Sequence, residues 1–200
     1  MGNTEGELYS EVDCIETKHG RLNVRQCREA DLDSILELQD AVFKFLENQD
    51  VLRRNTPQIL RQCLQEPNFT VGVYDRERLV GLAVLVEPSG GETDLRKNLK
   101  CHTVEKAADF KLVMVRKEYR GLGLQHFLMQ LLEEKAAAKG YKYLCVSVSP
   151  DNIYSRRNII GAGYEFDHRE KLYGGLDREV YVKNLFFSNL HKDITCIGNL

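Results

Sequence analysis

The sequence predicts a single α/β domain whose strands run in mixed directions. Three observations predict it. Apolar strand-like runs and helix-period stripes alternate along the chain in the order β-α-α-β-β-β-α-β-α-β-β. Two of the strand runs are joined by a short charged turn, a hairpin signal, so the order is too irregular for a doubly wound repeat. The 200 residues fit one domain with a sizeable core.

Residues 1–20 are polar and aperiodic and read as a loose arm. "RLNVRQC" reads as the first strand. "DLDSILELQDAVFKFL" places Ile35, Leu38, Val42, Phe43 and Leu46 on one helical face, with Asp31 as N-cap. "NTPQILRQCL" starts a second helix, with Thr56 as cap and Pro57 at the first helical position. "NFTVGVYD" and "RLVGLAVLVE" form a hairpin around "DRER". Pro88 to Lys106 is polar and reads as a loop or an insertion, and "DFKLVMV" is a further strand. After Gly123 the period changes. Leu124, Phe127, Leu128, Leu131 and Leu132 fall at helical spacing, and Gly140 ends that helix. "YKYLCVSVS" is a strand, "PDNIYSRRNII" a short helix, and "GYEFDHREKLY" and "REVYVKNLFF" are the last two strands.

Hydrophobic residues make up 42% and charged residues 29%, the balance of an ordinary soluble globular protein. A formal net charge of −2, with basic residues spread out, implies no nucleic-acid or membrane-surface partner. The six cysteines show no C-x-x-C spacing and no His/Cys cluster, so no metal site is expected. Scattered thiols without a secretion signal fit a reducing, cytoplasmic setting. The chain starts Met-Gly, but Gly6 stands where a myristoylation signal needs Ser or Thr, and no stretch is long enough for a membrane span.

The stretch "YRGLGLQHFL", Tyr119 to Leu128, carries the chemistry. An apolar strand ends near Val115, Arg120-Gly121-Leu122-Gly123 follows, and a helix begins at once. A helix N-terminus presents unpaired N–H groups and a partial positive charge, and glycines let backbone approach a ligand. Together these suit a diphosphate, although a plain strand-to-helix turn uses the same residues. The P-loop pattern fails because no Gly-Lys-Ser/Thr follows, and the dinucleotide pattern fails because His126 occupies its third glycine position.

"VRKEYRGLGLQ" resembles the acetyl-CoA motif of the GNAT N-acetyltransferases, Arg/Gln-x-x-Gly-x-Gly/Ala, with Arg120 and Gly123 at its first and fourth positions. Gln125 stands where the family usually has Gly or Ala. Downstream, "NIYSRRNIIGAGYEF" resembles a second family motif, with Asn152, Ser155 for Ala, Gly163, and Tyr164 for Phe. "GLQ", "VSPDNIYS" and the late "YGG" look like a poorly characterised bacterial branch of the superfamily. The resemblance covers residues 21–187, leaving a polar arm (1–20) and a tail (188–200). It implies the GNAT fold, a mixed, mainly antiparallel central sheet flanked by helices. It also implies acetyl-CoA as cosubstrate, an amine acceptor, and a monomer or homodimer. Gly121, Leu122, Gly123, Leu124, Gln125 and His126 would hold the pyrophosphate together with Arg120. The backbone of Val113, Met114 and Val115 would pair with the pantetheine arm as an added strand would, and Asn152 and Ser155 would border the thioester.

The family's usual tyrosine acid falls at Ile159, and the glutamate base of some members falls at Ser147. Tyr154 and Ser155, beside the expected thioester, are the local candidates to donate to the departing thiolate. Glu87 and Asp109 are candidate proton acceptors, and Tyr173 in "YGGLDR" can face the acceptor. His102 and His126 have no visible partner. The acceptor walls carry Glu47, Asp50, Arg53, Arg54, Glu92 and Asp94, mixed signs that select no substrate. The alternative to an enzyme is an acyl-CoA-binding regulatory module that has lost catalysis.

Overall fold

The computed structural model describes residues 13–87, 94–100 and 106–185. Eight strands form one sheet in the order β1-β2-β3-β4-β5-β6-β8-β7. They are β1 (Asp13–Thr17), β2 (Gly20–Gln26), β3 (Phe69–Asp75), β4 (Arg78–Val86), β5 (Ala107–Val115), β6 (Tyr143–Val148), β7 (Glu165–Leu172) and β8 (Leu176–Asn184). The helices are α1 (Leu32–Phe43), α2 (Pro57–Cys63), α3 (Leu124–Ala138) and α4 (Ile153–Gly161). Among the described residues only β5 and β6 pair in parallel; every other neighbouring pair is antiparallel.

Alternation along the strands explains the two layers. Leu144, Val146 and Val148 of β6 join Leu128, Met129 and Leu132 of α3 and Ile159 of α4 on one face. On the other face Ile35, Leu38 and Val42 of α1 and Leu60 of α2 pack against Leu82, Val84 and Met114. Cys145, Val180 and Val182 meet Leu95 farther along that second face. Among the described residues, no helix is long and apolar enough to cross a membrane.

Three expectations are corrected. Residues 13–17, expected in a loose arm, form β1, which lies antiparallel to β2 with Cys14 opposite Asn23 and Ile15 opposite Leu22. Such an edge strand is held by backbone bonds, so it needs little apolar alternation. Asp31 precedes α1 but makes no side-chain cap. Its carboxylate instead accepts from Arg25 at 2.7 and 2.9 Å and from the Arg28 N–H at 2.8 Å. Within the expected Pro88–Lys106 loop, residues 94–100 carry a short 3-10 turn, Leu95–Asn98, whose Leu95 is buried in the sheet's second layer. Thr56 does cap α2, accepting from the Ile59 N–H at 3.3 Å, and Gly140 follows α3 with φ +83°.

Candidate functional site

The parallel ladder between β5 and β6 stops at Phe110 and Val146. Beyond it β5 runs on to Val115 bonded only to β4, so the opposite edge of its last residues has no strand partner. A bulge lies in the same place. Val84 opposes Lys111 and Leu82 opposes Met114, so β5 spends one residue more than β4, and Leu112 takes φ +55°. A branched residue in that region is strained, and bulges bend a strand away from its neighbour. The sheet thereby opens a cleft at the C-terminal ends of β5 and β6.

The glycine stretch borders this cleft. Gly121 and Gly123 have φ +75° and +76°, and a Cβ added at either meets nothing within 4 Å. Gly123 is the N-cap of α3 and no side chain caps the helix, so its first N–H groups face outward without an acceptor from the cap. Arg120 is exposed, and its Nε donates to the Val115 carbonyl at 3.4 Å, fixing the loop against the end of β5. Leu124 is buried, Leu122 half-buried, and His126 exposed. Met114 packs under α1, while Val113 and Val115 lie half-buried on the α3 face.

The second motif meets the first. Asn152 caps α4, its Oδ1 accepting from the Ser155 N–H at 3.1 Å. Gln125 Nε2 donates to Ser155 Oγ at 3.2 Å, and Asn158 Nδ2 donates to Gln125 Oε1 at 2.7 Å. Gln125 therefore links the start of α3 to α4. Tyr154, one residue from Ser155, is not brought into this group and is 81% exposed.

The other wall is built from the second face of the sheet. Ser147, the first β6 residue past the ladder, lies 3.0 Å by its Oγ from the Tyr173 hydroxyl. Tyr173 turns between β7 and β8 with φ +55°. The Arg53 and Arg178 guanidinium carbons lie 4.8 and 5.7 Å from its ring centroid. Arg178 is 4% exposed and donates to the Asp50 and Asp177 carbonyls at 2.9 and 2.8 Å. Burial pulls its pKa below the ordinary range, against Tyr173, Asp50 and Asp177, yet an arginine stays charged. Asn48 Nδ2 reaches Asp151 Oδ2 at 3.3 Å, so the α1–α2 connection also touches the turn before α4.

Other candidates lie elsewhere. Glu87 pairs with Lys139 at 2.8 Å, just past the C-terminal end of α3 and about 22 Å from its start by helix length. Burial pushes Glu87 up, but Lys139 and Tyr141 outweigh it, and the carboxyl sits below its ordinary range. Asp109 is fully buried against Lys111, which lies 3.0 Å away, and accepts from the Leu95 N–H. Burial raises its pKa. Ile159 is core, Asp94 pairs with Arg96, and Arg54 pairs with Asp40. His102 and Glu92 lie outside the described residues. Among the described residues no group of three His, Cys, Asp or Glu could hold a metal.

Sequence reasoning missed Arg116 and the placement of Arg178. Arg116 is 3% exposed and holds the end of β5, donating to the Leu79 carbonyl at 2.9 Å and to Glu37 at 2.6 Å. A lone arginine at a strand end looks solvated in sequence, and nothing local marks its burial.

The comparisons with known proteins converge. A family model described as an acetyltransferase (GNAT) domain matches residues 23–160. No curated protein matches in sequence. The chain is similar in structure to an N-acetyltransferase from Staphylococcus aureus Mu50, with TM-score 0.64 and 15% identity over 82% of this chain and 98% of that one. It is also similar to the ribosomal-protein-S18-alanine N-acetyltransferase from Escherichia coli, with TM-score 0.62 and 12% identity over 82% of this chain and 94% of that one. A ribosomal-protein-alanine N-acetyltransferase from Brucella melitensis gives 0.60 and 20% identity, over 80% of this chain and 98% of that one.

Proposed function

The chain belongs to the GNAT acetyltransferase family, and from that premise we propose that it transfers acetyl from acetyl-CoA to an amine of a small molecule or peptide. One observation carries the reading: β5 leaves β6 after Phe110, beside a helix start with two left-handed glycines and no cap. These residues fit the cosubstrate. The free edge of Val113, Met114 and Val115 offers backbone groups to the pantetheine amides, and the Gly121–Gln125 backbone offers N–H groups to the pyrophosphate. Bound acetyl-CoA supplies an activated thioester.

The chain's own residues then position the thioester and stabilise the departing sulfur. Ser155 Oγ accepts from Gln125, which leaves its O–H free to donate a hydrogen bond to the departing sulfur, while the proton the thiolate finally takes is the one the amine releases through water. The ammonium of the acceptor must lose a proton before it attacks, with an ordinary pKa of about 10. Glu179 is an unsuitable base. Burial pushes it up, but bonds from Arg169 and Tyr181 and the charge of Arg156 outweigh that, and the carboxyl sits below its ordinary range. Water in the cleft takes the proton instead, and positioning supplies much of the rate. Two of the similar structures act on ribosomal-protein alanine, which keeps a peptide α-amine among the acceptors to test. We assign the work to the cytoplasm.

The test is calorimetric titration with acetyl-CoA, followed by CoA release over a panel of amines. Acetyl-CoA at 100 times its Kd stabilises the fold by about 2.7 kcal/mol. Absence of both binding heat and a thermal shift overturns the reading. Binding without transfer to any amine favours a regulatory acyl-CoA module.

A further inference from the structure

Among the described residues, Arg178 stands out as a buried charge without a carboxylate partner. Its side chain is buried, yet among the described residues it has no carboxylate within 4.0 Å. Two of its five N–H donors are used, both on backbone carbonyls. Arg53, on the α1–α2 connection, likewise has no carboxylate partner and is placed by the same ring, Tyr173. Holding two guanidinium groups near one aromatic ring with no carboxylate paired to either costs desolvation and repulsion, which the more distant Asp50 and Asp177 offset only in part and an arriving anion would offset further. The strained backbone of Tyr173 points the same way, since such strain persists where the surroundings impose it.

The cluster stands on the acceptor side. Tyr173 reaches Ser147 with its hydroxyl, at the point where β6 leaves β5, and meets the two arginines with its ring. Resting on the acetyltransferase reading above, we propose that the acceptor carries a carboxylate as well as its amine, and that Arg53 and Arg178 bind that carboxylate while Tyr173 spaces it from the thioester. A planar carboxylate matches the fork of a guanidinium.

Product-like acids test this without knowledge of the true acceptor. CoA-saturated protein is titrated calorimetrically with N-acetylglycine, 4-acetamidobutanoate and 6-acetamidohexanoate, and with the amide of each. At least one acid should bind tenfold or more tightly than its amide. Arg53→Gln should cut that difference severalfold by weakening the acid alone, with Arg178 retaining the rest, and Arg53→Lys should restore part of it. Equal binding of acid and amide in all three pairs, or no binding at all, overturns the proposal. Equal weakening of acid and amide in Arg53→Gln also overturns it, because that is what loss of a mere prop for Tyr173 would do. Arg53 is chosen because it is less buried than Arg178 and its replacement threatens the fold less. The acids are also titrated into CoA-free protein. A failure of CoA itself to bind therefore registers against the acetyltransferase reading and leaves the carboxylate result standing on its own.

Discussion

Ser155 and Tyr154 are neighbours in sequence but not in environment. Ser155 is half-buried and tied to Gln125, whereas Tyr154 is 81% exposed. Ser155→Ala should lower kcat by on the order of 10²-fold with acetyl-CoA affinity unchanged, the signature of a lost hydrogen-bond donor. Tyr154→Phe should leave kcat within about twofold. Steady-state kinetics with calorimetry decides, and the reverse pattern would return the role to Tyr154. The sequence nominated both because it fixes neighbours along a helix but not the phase at which the helix docks. Asp31 shows the same limit. It looked like a cap, yet Arg25 bonds chiefly hold its carboxyl below the ordinary range. A depressed carboxyl contributes stability that is present above its unfolded pKa and lost as pH falls through the folded one. Asp31→Asn should therefore cost about 2 kcal/mol at pH 7, and parent and variant should converge in urea unfolding as pH falls below the ordinary carboxylate range.

Elements were legible where a local rule governs them. Thr56 with Pro57 and the stripe after Gly123 announce α2 and α3 from chemistry within one turn. β1 was not legible, because this short edge strand is held mainly by backbone bonds and "DCIET" carries no clear apolar alternation. The bulge at Leu112 was not legible either, since it is set by how β4 and β5 align, not by a glycine. The start of α3 yields a prediction at this scale. No atom lies within 4 Å of a Cβ on Gly123, so Gly123→Val meets no clash in the free protein. It does force a branched residue to φ +76°, a strain of about 1–2 kcal/mol in urea unfolding. Acetyl-CoA affinity should fall tenfold or more, because the new side chain fills the approach to the helix N-terminus. Unchanged affinity in the folded variant would mean that the turn only connects β5 to α3.

At the scale of the molecule, the element order foretold a mixed sheet, and the two motifs in the right order foretold its family. Neither the cleft nor the burial of Arg178 could be seen in advance. Both come from strands far apart in the chain lying side by side, and only the fold brings Arg53, Tyr173 and Arg178 together. The order of strands has one more consequence. The sheet runs from β1 to β5 and then through β6 and β8 to β7, and its two parts are zipped together by four facing residue pairs, Ala107–Phe110 with Tyr143–Val146. Beyond those four teeth the zip is open, and acetyl-CoA would add the teeth that the polypeptide lacks. Backbone amides of Val113 to Val115 that are not bonded to β4 should exchange quickly with deuterium in the free protein and slow at least tenfold once acetyl-CoA is bound. Amides of the four-pair ladder should be slow in both states. The cosubstrate would then be a fastener of the fold as well as the source of the acetyl group.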